Sequence, residues 1–375
     1  RIRSIAHAGP AVGGGPGMRS LTLAAALTER GAECLFLADP AVEAILSAFA
    51  PDIGRRPVAD LSAERIVAAT ASLAFEAAVF DHYGLDRETH EAVADGRPAL
   101  ILDDLADRPL GGDLVLDSGP HRTAAEDAAF APKARLLLGP GYAPVRPAFA
   151  ALREDALARR GGEPRRVLVS MGLTDVGGVT GRVVERIRRR FGDAELDVVI
   201  GSSAPSRKGL SRIAAHDPRL RLHVDTPEMA ELTAAADLAV GAAGSTVWER
   251  CALGLPSVAV TLAENQRPAA KTLAQAGALL WVDAEAADFD AAFDRAITRL
   301  FIDRALRRSL SEKSAEVCDG LGAARVADAF WPLLAQSPTV WRSGFNRTLS
   351  ASARSSSLGG TVAARRPGHA SAPSL

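Results

Sequence analysis

No run of apolar residues approaches the 18 or so that a membrane-spanning helix needs, and only 5% of the residues are aromatic. Cysteine is scarce. Cys34, Cys251 and Cys318 stand far apart with no CxxC or CxxH spacing, so the pattern fits neither a disulfide framework nor a zinc site. Buried free thiols in a reducing cytoplasm are the expectation. The opening stretch RIRSIAHAGPAVGGG lacks a long apolar segment and is expected to be a strand entering a glycine loop, not a secretory signal. HExxH and paired Cys/His clusters are missing, so neither a metal nor a cofactor is expected. GxSxG is missing too, which argues against an α/β-hydrolase. Net charge is only −1. The basic stretches at 158–166 and 185–191 have no interleaved aromatics, so nucleic acid is not an expected partner.

What remains is an ordinary globular composition: 375 residues, 47% hydrophobic and 24% charged, enough for two domains with their own cores. Short β-like runs alternate with helical stretches along most of the chain. RIRSIAHAG, ECLFLAD, AAVFDHYG, PALILDDLA, DLVLDS and ARLLLGPG read as strands of a first half, and RVLVSMG, ELDVVIGSS, LRLHVDT, DLAVGAAGS, SVAVTLAENQ and ALLWVDA as strands of a second. This alternation predicts an α/β protein of two doubly wound parallel-sheet domains, 1–149 and 167–335, joined by a linker at 150–166. Residues 340–375 hold five arginines, eight serines and no acid. They are read as a disordered basic tail.

Open parallel sheets bind ligands at the carboxyl ends of their strands. Candidate residues therefore come from the loops at 9–19, 81–86, 103–108, 139–147, 170–176, 242–249 and 263–267. GGGPGMR (13–19) opens a helix and suits either a tight turn or an anion cradle. In GAAGSTVWERCALGLP, Ser245 and Thr246 at a helix start with Glu249 one turn on fit two readings. They form an anion-and-ribose site, or a capping box with Glu249 folded back. DHYG groups a carboxylate, an imidazole and a phenol at a strand end. The acids of DDLADR fit internal pairing and capping.

Six segments, FDHYGLD, LILDDLADR, LLLGPGYAPVRPAF, VLVSMG, MAELTAAADLAVGAAGSTVWERCALGLPSVAV and AENQ, together resemble the UDP-2,4-diacetamido-2,4,6-trideoxy-β-L-altropyranose hydrolases of pseudaminic acid synthesis. The resemblance spans about residues 1–330. That family is similar to the peptidoglycan UDP-N-acetylglucosamine transferase, which implies a glycosyltransferase-B-like architecture of two domains around a cleft. It implies that Gly244, Ser245 and Thr246 hold the UDP diphosphate and Glu249 the ribose, while Gly172 and the segment LRLHVDTPEM border the uridine. Tyr83, Asn265 and Gln266 would face the sugar, and Gly13, Gly15 and Arg19 belong to the substrate loop. A cytoplasmic enzyme acting on a UDP-sugar, with other pathway enzymes as possible partners, is the implied setting.

The departures from the family pattern fall on the sugar side. The family's catalytic histidine position is Pro16, which has no titratable group. An aspartate position is His7, a histidine position is Leu110, DSG stands at 117–119 and GLTD at 172–175. His82 and His7 are the candidate replacement bases, with Asp81 or Asp104 as acidic alternatives. Hydrolysis is the implied activity. Transfer to an acceptor hydroxyl, or binding without turnover, fits the same scaffold.

Overall fold

The computed structural model describes residues 1–9 and 12–335. The expected tail at 340–375 lies outside the described residues. The first half runs β1 (Ile2–Ala6), α1 (Gly15–Thr28), β2 (Cys34–Ala38), α2 (Pro40–Phe49), β3 (Gly54–Pro57), α3 (Ala63–Thr70), β4 (Ala77–Asp81), α4 (Arg87–Ala94), β5 (Ala99–Leu102), β6 (Leu114–Asp117), α5 (Ala124–Phe130) and β7 (Arg135–Leu138). Then come α6 (Pro147–Ala158), β8 (Arg166–Ser170), α7 (Val179–Arg190), β9 (Glu195–Ile200), α8 (Arg207–Ala214), β10 (Leu220–Val224), α9 (Met229–Ala235) and β11 (Leu238–Ala242). The chain ends through α10 (Thr246–Ala252), β12 (Ser257–Thr261), α11 (Arg267–Gln275), β13 (Leu280–Asp283), α12 (Phe289–Ile302), α13 (Arg304–Val317) and α14 (Gly322–Ala335).

Two parallel sheets result. The first has order β3-β2-β1-β4-β5-β6-β7 and the second β10-β9-β8-β11-β12-β13. In each, strand order reverses once, between β1 and β4 and between β8 and β11. Alternation along a strand sends neighbouring side chains to opposite faces. Thus Val167 and Val169 of β8 join a core with Val183, Ile187 and Phe293, while Leu168 joins one with Phe149, Leu232 and Leu273. Both faces of the second sheet are covered, as a fully parallel sheet requires. Cys34, Cys251 and Cys318 are buried free thiols, and burial pushes Cys251 up to about 12. No helix among the described residues is long and apolar enough to cross a membrane.

The structure differs from the sequence reading at three places. β3 is an edge strand of sequence GRRP, too polar to register as an apolar run. The segment read as a linker begins inside a helix: α6 covers 147–158, and Arg153 ties it to the second domain by donating to the carbonyls of Cys318 at 2.9 Å and Ala315 at 2.7 Å. Finally, α14 packs back into the first domain. Its Ala323, Val326, Ala327 and Phe330 join the core built by β1, β2 and α1, and Arg30 at the end of α1 pairs with Asp328 at 2.6 Å. Phe330 is fully buried, so Phe330→Ala should lower stability by about 3–5 kcal/mol in urea unfolding. A loss below about 1 kcal/mol would show that α14 is dispensable to that core.

Candidate functional site

The two switch points face one another across a cleft of about 550 Å³. Its walls are loops, because every strand of both sheets presents its carboxyl end to this side. From the first sheet come the glycine loop after β1, Tyr83 after β4, Asp104 and Leu105 after β5, and Ser118, Gly119 and His121 after β6. From the second come the loops after β8 (170–176), β11 (242–249) and β12 (262–266). The glycine loop nearly meets the β11 loop: a Cβ placed on Gly15 would lie 3.4 Å from Ser245 Oγ.

Gly13, Gly15, Arg19, Tyr83, Gly172, Gly244, Ser245, Thr246, Glu249, Asn265 and Gln266 all line this one cleft, as does Pro16. Pro16 sits in the first turn of α1, where a missing N–H costs nothing. Arg19, one turn on, is clamped by carboxylates. It donates from Nε and Nη2 to the two oxygens of buried Asp81, both at 2.6 Å, and from Nη1 to Asp104 at 2.9 Å. Burial alone would lower the guanidinium, but Asp81, Tyr83 and Asp104 outweigh it and hold it charged. Tyr83 donates to Asp104 at 3.2 Å, and burial pushes its phenol up, so it remains a donor. Asp104 keeps one buried oxygen, Oδ1, without a partner. Its neighbour Asp103 behaves as the capping reading expects, accepting from the N–H groups of Leu105 and Ala106 and pairing with Arg108 at 2.8 Å.

On the other wall the capping-box reading of Glu249 does not hold. No side-chain cap forms at α10, and Ser245 already has helical backbone angles. Glu249 instead takes both Nε (3.1 Å) and Nη2 (2.8 Å) of Arg146 on one oxygen, Oε1, leaving Oε2 buried and unpartnered. A cross-domain partner at residue 146 is invisible to a local motif. Behind the same loop lies Arg250, fully buried, donating to the carbonyl of Ala242 (2.8 Å) and the hydroxyl of Thr246 (3.2 Å). Burial pushes it down to about 10. Gly241 makes room for it, since a Cβ there would fall 2.5 Å from Arg250 Nη1. Asn265 and Gln266 occupy a single 3₁₀ turn after β12, where Gln266 Oε1 accepts from the N–H of Leu262 at 2.9 Å.

His7 and His82 are not among the cleft-lining residues. Parallel pairing places Ala6 opposite Asp81, so the next residues run side by side and their rings stack at 4.2 Å. Burial, reinforced by His7 and Arg108, pushes His82 down to about 4, and burial lowers His7 as well. The two rings pack on each other and neither lines the cleft, which argues against either as the base. The residue that does reach the wall, His121, was overlooked because the loop after DLVLDS carries no helix-opening glycine motif. Consistent use of the rule that every post-strand loop is a candidate would have included it.

Among the described residues no group of three or more His, Cys, Asp or Glu is arranged to hold a metal ion. The fold is that of the GT-B glycosyltransferases, two parallel-sheet α/β domains around a cleft, and residues 216–316 match the glycosyltransferase family 28 C-terminal domain. Among solved structures, MurG of Acinetobacter baumannii superposes with a TM-score of 0.62 at 17% identity, covering 88% of this chain and 99% of that one. The spore coat polysaccharide biosynthesis protein SpsG of Bacillus subtilis is 29% identical over 194 residues, 51% of this chain. That alignment spans little more than half, 57%, of SpsG. The UDP-2,4-diacetamido-2,4,6-trideoxy-β-L-altropyranose hydrolase of Campylobacter jejuni is 26% identical over 227 residues, 59% of this chain and 80% of that protein.

One cleft-side carboxyl has a consequence for stability. Asp117, fully buried at the end of β6, is pushed up to about 7 from 3.8 by burial, with Asp127 and Asp104 adding and the Gly119 N–H and Arg122 opposing. Between those values the unfolded chain releases this proton while the folded protein keeps it, so the group costs stability as pH rises through the window. Asp117→Asn should therefore be more stable than the parent at pH 8, by on the order of 1–3 kcal/mol, with the difference vanishing toward pH 4. Thermal unfolding at both values measures it, and equal melting temperatures at pH 8 would refute the shift.

Proposed function

We propose that the chain is a UDP-sugar hydrolase of nonulosonic acid synthesis, of the pseudaminic acid type, releasing UDP from a 2,4-diacetamido-2,4,6-trideoxyhexose. The observation that carries this reading is the unpartnered Oε2 of Glu249 beside the Gly244, Ser245 and Thr246 turn. A buried carboxylate oxygen with no donor is costly, and a ribose hydroxyl is a fitting donor for it. The hydroxyls and amides of the adjoining turn suit a diphosphate, with the Arg250 cation behind them. Arg19, Tyr83, Asn265 and Gln266 line the remaining cleft, where the sugar would lie. In the proposed step these fixed donors stabilise the charge that gathers on the departing diphosphate.

Transfer to an acceptor hydroxyl is the second reading, favoured by the match of residues 216–316 to a glycosyltransferase domain. The products distinguish them. Incubation with UDP-2,4-diacetamido sugars, followed by anomeric proton NMR, should yield free sugar and UDP. A sugar attached to an added acceptor, with no free sugar, would replace hydrolysis by transfer.

Nucleotide choice tests the binding half directly. Calorimetry should show UDP binding tighter than ADP or GDP, and Glu249→Ala should weaken UDP about 5- to 150-fold, the equivalent of roughly 1–3 kcal/mol. Equal affinity for the three diphosphates, or an unchanged affinity in the variant, would remove Glu249 and its loop from the nucleotide site.

A further inference from the structure

Hydrolysis in this cleft needs a base. Pro16 has none to offer, and the His7–His82 stack does not reach the wall. His121 does, from the turn between β6 and α5. That turn is fixed at its far end by a reciprocal cap between Thr123 and Glu126. The imidazole packs its Cε1–Nδ1 edge on Gly119, where an added Cβ would lie 2.8 Å from Cε1 and 3.0 Å from Nδ1. Nδ1 is closed off from solvent and has no partner, so Nε2 is the nitrogen left for a ligand. The same empty space at Gly119 is flanked by Asp117 Oδ1 at 2.9 Å, itself accepting from the Gly119 N–H at 2.6 Å. Any side chain at 119 would drive the carboxyl and the imidazole apart.

Resting on the hydrolase reading above, we propose that His121, its ring seated against Gly119, is the general base of the reaction. An oxygen lone pair of water bonds to the anomeric carbon. The bond from that carbon to the β-phosphate oxygen breaks, its electron pair leaving on UDP, and the water proton passes to Nε2. The surroundings suit a neutral imidazole. Burial and the adjacent Arg122 lower His121, while Glu126 on α5 and Asp104 after β5 pull it back. With Asp117 at the end of β6, these are the charged groups around it, and it is the neutral imidazole that accepts a proton.

The test is steady-state turnover of a UDP-2,4-diacetamido sugar by the full chain, with UDP affinity and melting temperature measured in parallel. His121→Ala and His121→Gln should lower kcat about 10²–10⁴-fold while UDP affinity changes less than about twofold, and added imidazole should restore part of the rate to His121→Ala. Full turnover in His121→Ala overturns the base assignment alone. Lost turnover accompanied by lost UDP affinity, with no rescue by imidazole, overturns it in favour of a structural role. A parent protein that binds UDP but turns over no UDP-sugar overturns the hydrolase reading, and the base with it.

Discussion

Parallel pairing is the constraint from which the remainder of this molecule follows. Every strand in both sheets runs in the same sense as its neighbours, so each must be followed by a crossover and each delivers its outgoing loop to one edge. Reversal of strand order at β1/β4 and β8/β11 opens a gap between outgoing loops on each sheet. The glycine loop and the β11 turn are what fills those gaps.

The two walls of the cleft handle charge differently. On the wall built by the first sheet, the Arg19 cation is met by two carboxylates, Asp81 and Asp104, so its charge is spent internally. On the facing wall, Arg146 meets Glu249, but Arg250 has only neutral acceptors, a carbonyl and a hydroxyl. A buried guanidinium without a counter-ion is expensive by itself. Placed behind a loop of small residues, it adds positive charge to that side of the cleft.

Much of the architecture was legible in the alternation of apolar runs. Signals failed where tertiary context supplied the stabilisation. The edge strand β3 is held by its pairing with β2, not by apolar content. At 147–158, PAFAALREDALA is apolar enough but carries no spacing that marks one face, and the helix is secured by buried Phe149 and by Arg153 reaching carbonyls at 315 and 318. The glycine-bearing loops and the AENQ turn were found because their composition is unusual. Arg146 lies in the candidate loop 139–147, but nothing local signals its pairing with Glu249, and a lone histidine such as His121 after Asp-Ser-Gly carries no spacing that marks it. Register, read only in three dimensions, moved His7 and His82 out of the reckoning.

The return of α14 to the first domain has a bearing on how the chain is made. A domain whose core lacks Val326, Ala327 and Phe330 is incomplete while the following 170 or so residues emerge during synthesis. The first domain therefore waits, with an apolar groove uncovered, for a helix that appears only after the second domain has had time to close. Order of assembly is reversed relative to order of sequence: the later half can mature first, and its completion hands back the piece that seals the earlier one.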